Sequence, residues 1–321
     1  MYPAGEMVIN FDALAMMIKK RNNRGIDLYI YLEIKSVFEI RVALNINICP
    51  NKSYMSIPFI GVLTLIRKDL LLRLINSVDY PVETFAIMFQ GGFSDFDFGC
   101  IKNPMIKKFS FISSSINIGV SRGWNYLIRN YNAPYWIISG DDNYFEAGTL
   151  EKIAKHMTEK ESSLENVFCG MNIKEKTGNI IPAGFSTYIV TQKIMENVGL
   201  FDENIYPAYF EDNDLWHRII LANEKTETIP ETYIYTGDDK DTGSCTLHSV
   251  HPVYRRKMDY CYSRNEKYFH DKWNIKGRNF SNPFNQHSLS IKDPVTHENY
   301  FVNQEILLGH RNPPVFFVME D

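Results

Sequence analysis

Tyr135-Trp136-Ile137-Ile138-Ser139-Gly140-Asp141-Asp142-Asn143 is the stretch on which the fold turns. Tyr135 to Ile138 is a short apolar run, as expected of a strand covered on both faces. It ends in a glycine and two adjacent carboxylates. In open α/β sheets ligands sit beyond the carboxyl ends of the strands, so the turn from Gly140 to Asn143 is where chemistry is expected. Neighbouring aspartates there suit Mg²⁺ or Mn²⁺, hard cations that prefer carboxylate and phosphate oxygens. An Asx turn capping the next helix is the plainer reading of the same residues.

Upstream, Ile57 to Leu65 and Phe85 to Phe89 are further apolar runs. Between them Leu70, Leu71, Leu74, Ile75 and Val78 follow helical spacing, and Trp124, Leu127 and Ile128 suit a second helix. Alternating strand and helix predicts an α/β fold, with a mostly parallel central sheet flanked by helices. Downstream, Val167 to Ile173 and Tyr188 to Thr191 read as strands, and Ile194 to Val198 and Leu215 to Leu221 as helices. Residues 56–275 form the main domain on this reading, and 276–321, rich in Asn, Pro and His at first, an irregular extension. Residues 1–55 read as an accessory element with a small β extension. Phe11, Leu14, Met17 and Ile18 suit a short helix, and two runs, Leu28 to Ile34 and Phe38 to Ile48, alternate as paired strands do.

A second acidic cluster follows at Glu211-Asp212-Asn213-Asp214, after Tyr209-Phe210 and before an apolar helical stretch. The helix dipole favours acidic residues at that end and accounts for one or two of them. Three, flanked by aromatic rings, suggest a site. A carboxylate in a partly apolar wall can take a proton from an attacking hydroxyl, and the same residues could instead hold a metal.

Composition narrows the classes. With 45% hydrophobic and 22% charged residues over 321, a sizeable core is expected and global disorder is not. The net charge is −4 with scattered Lys and Arg, so no nucleic-acid partner is expected. The five cysteines, Cys49, Cys100, Cys169, Cys245 and Cys261, form no CxxC pair, which points to free thiols and a cytoplasmic location. No signal peptide is visible, and the run around Ile57 to Ile66 is too short to cross a bilayer. No transmembrane segment is expected. Peripheral membrane contact and oligomeric state are left open.

With these blocks in order, the sequence resembles the inverting glycosyltransferases of family 2, which have the GT-A fold. The resemblance runs from about Ile57 to Trp273. It rests on Ile60-Gly61-Val62-Leu63-Thr64-Leu65-Ile66-Arg67, on Asn117-Ile118-Gly119 with Gly123-Trp124-Asn125, and on Gly140-Asp141-Asp142-Asn143 as a DXD-type turn. Gly199-Leu200-Phe201-Asp202-Glu203 followed by Glu211-Asp212-Asn213-Asp214 extends it. Arg264-Asn265, Tyr268-Phe269 and Lys272-Trp273 are similar to the end of rhamnosyltransferase-like members.

The resemblance implies roles by position. Asp142 would ligate Mn²⁺ or Mg²⁺, with His248 as a second candidate, and Asp141 would contact the donor's ribose or sugar. A surface or structural histidine is an equal reading of His248. Asp212 would be the general base, with Glu211 and Asp214 orienting it or binding acceptor hydroxyls. Thr64 and Arg67 would lie near the nucleotide, and Arg122 and Asn125 near the diphosphate or sugar. Gly184 and Phe185 would floor the sugar pocket. Gln90 stands where the family usually has an acidic residue that contacts the base, and could still read a base edge.

The activity implied is hexosyl or pentosyl transfer with inversion, from a nucleotide-sugar donor to a hydroxyl of a glycan or glycoprotein acceptor. Two alternatives compete. A sugar-nucleotide nucleotidyltransferase would carry a Gly-rich loop after the first strand, whereas Ile66-Arg67-Lys68-Asp69 has no glycine. A catalytically inactive glycan-binding protein on the same fold need not keep Asp141, Asp142 and Asp212 together.

Overall fold

The computed structural model describes residues 15–21, 27–36, 39–46, 56–65, 67–91, 98–162, 167–175, 177–237, 252–273 and 316–320. The chain divides into two units, Met1–Ser53 and Tyr54–Asp321. In the first, β1 (Ala15–Arg21), β2 (Asp27–Ser36) and β3 (Glu39–Ile46) form an antiparallel sheet in that order. Ile30 stands opposite both Ile18 and Leu44. Met17 and Ile18 therefore lie in a strand, which corrects the helix expected from their spacing. Pairing with β2 satisfies the backbone groups that a lone short helix would leave at its ends. Phe11 and Leu14 lie outside the described residues.

The second unit runs β4 (Ile57–Thr64), α1 (Lys68–Asn76), β5 (Val82–Gln90), β6 (Phe109–Ser114), α2 (Val120–Asn130), β7 (Tyr135–Gly140) and β8 (Asn143–Phe145). It continues with α3 (Thr149–Ser162), β9 (Phe168–Lys174), β10 (Ile180–Pro182), β11 (Thr187–Thr191), α4 (Gln192–Val198) and α5 (Glu211–Leu221). β12 (Thr226–Thr236), α6 (Pro252–Trp273) and β13 (Phe316–Glu320) follow. The strands join one sheet in the order β13-β6-β5-β4-β7-β11-β9-β12-β8, with β10 beside β9. The middle, β6-β5-β4-β7, is parallel, as the alternation of strand and helix predicts. β11 runs antiparallel between β7 and β9, so its start shares the edge where β7 ends.

Helices cover both faces. On one, Leu71 and Leu74 of α1 and Ile153 of α3 pack against Ile60, Phe85 and Ile137. On the other, Leu127 of α2, Ile194 of α4 and Leu215 of α5 pack against Met88 and Ile138. Each such side chain contributes about 1.5–3 kcal/mol relative to exposure. Strands covered on both faces read as continuous apolar runs, which is why β4, β5 and β7 were legible. β6 was not, because Ser110, Ser113 and Ser114 are buried within it. At the far end, residues 316–320 pair with β6 as an edge strand, Phe316 opposite Ser114, so the C-terminal stretch is not irregular throughout. Among the described residues no helix is long and apolar enough to cross a membrane. Cys169 and Cys261 are free thiols.

Candidate active site

The parallel register of β4 and β7 sets Leu63 beside Gly140, which brings the next residues, Thr64 and Asp141, together at the carboxyl edge. Thr64 hydrogen-bonds the Asp141 carboxylate. Burial pushes Asp141 up to about 7, the adjacent Asp142 adds to the rise, and the Thr64 hydroxyl and Arg67 oppose it. Arg67 closes a fork on Asp69, with Nε to Oδ1 at 3.0 Å and Nη2 to Oδ2 at 2.9 Å.

The turn carrying these aspartates is pinned from two sides. The Asp142 carbonyl accepts from Arg73 Nη2 at 3.3 Å and from the Gly237 amide at 3.1 Å. The Ser186 carbonyl accepts from the Gly140 amide at 2.9 Å and from Asn143 Nδ2 at 2.6 Å. At Gly140 a Cβ would stand 2.8 Å from Asp142 Oδ1, so a side chain there would push this carboxylate aside. The donor set is two buried carboxylates, hard oxygen ligands in a cradle that a side chain would fill. It fits a divalent cation of the Mg²⁺ or Mn²⁺ kind.

The second cluster opens α5. Tyr209 and Phe210 both take positive φ, 75° and 73°, a region costly for bulky residues. Asn265 of α6 holds them there, its Nδ2 donating to the carbonyls of Tyr206 at 3.0 Å and Ala208 at 2.9 Å. This fold-back delivers Glu211 and Asp212 to the first turn of α5. Glu211 is buried and its Oε2 accepts no hydrogen bond. Burial first, then the charge of Asp212, holds its pKa well above the ordinary carboxylate value. Asp212 is raised too, by burial, against the Asn213 amide, which donates to Oδ1 at 2.7 Å.

A cavity of about 550 Å³ opens beside Asp212. Gly184 and Phe185 line it, together with Trp216 and Phe168. Residues 183–186 thus touch both clusters. Ser186 binds the Gly140–Asn143 turn, and Gly184 and Phe185 share the cavity wall with Asp212.

Of the expected site residues, Thr64, Arg67, Asp141 and Asp142 meet at the carboxyl edge of the sheet, while Asp212, Gly184 and Phe185 line the cavity, with Glu211 beside Asp212 at the start of α5. Three others have different tasks. Gln90 is buried and clamps the start of α2, its Oε1 accepting from the Ile118 amide at 2.9 Å and its Nε2 donating to the Gly119 carbonyl at 3.1 Å. Asn125, 1% exposed, spans to the Phe201 backbone at 2.9 and 2.8 Å and to Glu203 at 2.9 Å. Their amides serve packing, which corrects the donor contacts expected of them. Asp214 is corrected likewise. It is fully buried among Lys272, Arg218 and Trp273, so acceptor hydroxyls cannot reach it. Arg122 lies 3.5 Å from Glu203. His248 lies outside the described residues.

Sequence reading quoted two residues of this scaffold, Asp202 and Lys272, but gave them no role. Lys272 Nζ donates to Asp202 Oδ2 at 2.8 Å, as does the Tyr268 hydroxyl. A charged residue alone on a helix gives no sign that it is buried; the signal was the acidic partner set at Asp202 and Asp214, which required a cation.

No family model and no curated protein matches the chain. Among solved structures it is similar to S. aureus TarS 1-349 in complex with UDP-GlcNAc, at 13% identity and a TM-score of 0.47, over 67% of this chain and 71% of that one. It is also similar to TarS 1-349 at 14% identity and a TM-score of 0.45, over 66% and 72%. A third similar structure is the mannosyltransferase PcManGT from Pyrobaculum calidifontis in complex with GDP-Man and Mn²⁺, at 12% identity and a TM-score of 0.43, over 67% and 70%.

Proposed function

We propose that the chain is a metal-dependent glycosyltransferase of the GT-A type. It would transfer a hexosyl or pentosyl group, with inversion, from a nucleotide-diphosphate sugar to a glycan or glycoprotein hydroxyl. The observation that carries this reading is the segment 183–186, bonded through Ser186 to the Asp141–Asp142 turn while Gly184 and Phe185 share a cavity with Asp212. A donor diphosphate at the first cluster would present its sugar toward the second.

Asp142, with Asp141 beside it, would hold Mn²⁺ or Mg²⁺. When bound, the cation supplies positive charge against the leaving diphosphate. Thr64 and Arg67 orient Asp141 toward the donor. Asp212 takes the proton from the acceptor hydroxyl, its basicity raised by burial. Burial and the charge of Asp212 raise the Glu211 pKa well above its ordinary value, which favours a hydrogen-bond donor there over a second negative charge. The nucleotidyltransferase reading gains nothing here, since Arg67 is tied to Asp69 instead of heading a Gly-rich phosphate cradle.

Incubating the protein with Mn²⁺ and a panel of nucleotide-sugar donors tests the reading. Donor hydrolysis or transfer is expected for at least one donor, and Asp212→Asn is expected to abolish transfer while donor-dependent thermal stabilisation persists. Equal inertness of wild type and variant across the panel, with no donor raising Tm, would overturn it.

A further inference from the structure

Cys169 and Glu227 stand side by side in the parallel β9–β12 register, so their side chains share one face, the face that α3 covers. That seam is otherwise apolar: Ile153 and Met157 of α3 pack there with Met171 of β9 and Ile229 of β12. Into it α3 sets His156, whose Nε2 lies 2.5 Å from Glu227 Oε1. Cys169 Sγ lies 3.8 Å from the same oxygen and 4.0 Å from Met157 Sδ. A thiol, an imidazole and a carboxylate thus converge from three elements, their ligand atoms all within 4.8 Å of one another. Cys169 is fully buried, whereas the side chains of His156 and Glu227 are 19% and 22% exposed, which leaves a way in from solvent. Two ammonium groups attend the carboxylate, Lys160 at 3.2 Å and Lys225 at 3.8 Å. Ion pairing accounts for Glu227, but packing alone would be served by alanine or valine where Cys169 stands. The cluster is apart from the acidic turn: Cys169 is level with Ile189 and Ile137, on the strand that reaches Asp141 only after Gly140.

We propose that His156, Cys169 and Glu227 bind a zinc ion that joins α3 to β9 and β12. One nitrogen, one sulfur and one oxygen make a set of mixed hardness, which Zn²⁺ accepts and Mg²⁺ does not. Bonds of about 2.0–2.3 Å in a tetrahedron put neighbouring ligand atoms about 3.3–3.6 Å apart. The separations of 2.5 and 3.8 Å bracket that range. The imidazole and carboxylate need only part by about 1 Å to admit the ion. Binding releases the thiol proton and any proton that His156 and Glu227 share, because the ligands must be a thiolate, a neutral imidazole and a carboxylate. Thiolate and carboxylate together then balance the dication. A water from the exposed flank completes four-coordination. Lys160 yields its carboxylate to the ion, so lysine and metal compete. None of the residues assigned to donor or acceptor takes part, and the site stands independently of the transferase reading.

Cobalt reports on the site. Co²⁺ takes the same ligands, and its bond to a thiolate absorbs in the near ultraviolet, which an all-oxygen site such as the Asp141–Asp142 turn cannot imitate. Titrating Co²⁺ into the full chain is expected to raise this band, Zn²⁺ to bleach it, and excess Mg²⁺ to leave it unchanged. Cys169→Ser is expected to abolish the band, while Cys261→Ser and Asp142→Ala keep it. His156→Gln and Glu227→Gln should each weaken Co²⁺ binding about tenfold or more. Lys160→Met should tighten it about two- to fivefold, the worth of the ion pair it removes. Circular dichroism confirms that the variants fold. Absence of the band overturns the proposal, as does a band that survives Cys169→Ser or keeps full affinity in both His156→Gln and Glu227→Gln. Weaker binding by Lys160→Met also overturns it and marks the cluster as an ion-pair network. Any of these failures leaves the transferase reading untouched, since Mn²⁺ and donor binding at the acidic turn are measured separately.

Discussion

Lys272 Nζ lies 2.6 Å from Asp214 Oδ1, and neither side chain is more than 1% exposed. The same ammonium reaches Asp202 at 2.8 Å, and Arg218 Nε closes on Asp214 Oδ2 at 3.0 Å. Two carboxylates therefore face two cations inside the core. The cluster ties α6 and the loop before α5 to α5 itself, only two residues from Asp212. The cluster holds the α5 terminus in place, on which the proposed transfer would depend.

Removing the ammonium should show this. Lys272→Met leaves Asp202 and Asp214 with reduced compensation in a dry site, and a loss of about 3–5 kcal/mol is expected. Urea denaturation measures it; a loss within experimental error would mean that the cluster is wet and weak. The wild type should also weaken in acid. Burial pushes Asp214 up, but Lys272, Arg218 and Trp273 outweigh it and leave the pKa below 3.8. Stability from this group is present above the unfolded value and disappears as pH falls through the folded one.

Glu211 has the opposite sign. Its folded pKa is raised above 4.5, so its contribution is full below that pH and is lost as pH rises through the folded value. Glu211→Gln mimics the protonated form. Near pH 8 the variant is expected to melt above the wild type, with the gap closing toward about pH 4. A gap independent of pH would show that burial does not raise the Glu211 pKa.

Gly119 has φ 83° and ψ 170°, a conformation open essentially to glycine. A Cβ there would stand 2.7 Å from the Tyr206 ring and 3.0 Å from the Pro207 carbonyl. Gly119→Ala should cost about 1–3 kcal/mol in backbone strain alone. Because it also presses on the loop that leads to Asp212, its transfer rate should fall more than its Tm suggests. Unchanged melting would argue that the loop yields freely.

Metal binding gives a test free of any donor. Mn²⁺ alone should raise the Tm of the wild type, since a ligand of the native state adds stability, and Asp142→Ala should lose that rise. The prediction fails if both proteins respond alike.

Transfer should carry an acid limb set by Asp212. Burial raises its pKa above 3.8, and Glu211 is coupled to it, so the limb belongs to the pair. Rate falls as pH drops through that limb, because the protonated acid cannot accept the hydroxyl proton. A pH profile of single-turnover transfer measures it, and a rate that rises in acid would remove Asp212 from the base role.

Much of this architecture was legible before any coordinates. Buried parallel strands announce themselves as apolar runs, and the carboxylates at the end of Tyr135–Gly140 marked the edge where the candidate site is placed. What escaped were elements whose composition conceals their setting. β6 carries three buried serines, one of them, Ser110, bonded to the Tyr131 hydroxyl. Met17 and Ile18 fit a helical stripe as well as a strand, and the pairing with β2 decided between them.

The buried strands β4, β5 and β7, the acidic turn and the second acidic cluster were legible in the sequence alone, because local pattern is a linear property. Which polar residue faces a ligand and which faces the core was decided only by the tertiary structure. Asp212 and Asp214 are two positions apart on one helix, about 200° around its axis, so one meets a cavity and the other a buried ammonium. Gln90 and Asn125 likewise became clamps because the backbone groups of Ile118 and Phe201, remote in the chain, came within reach and needed partners.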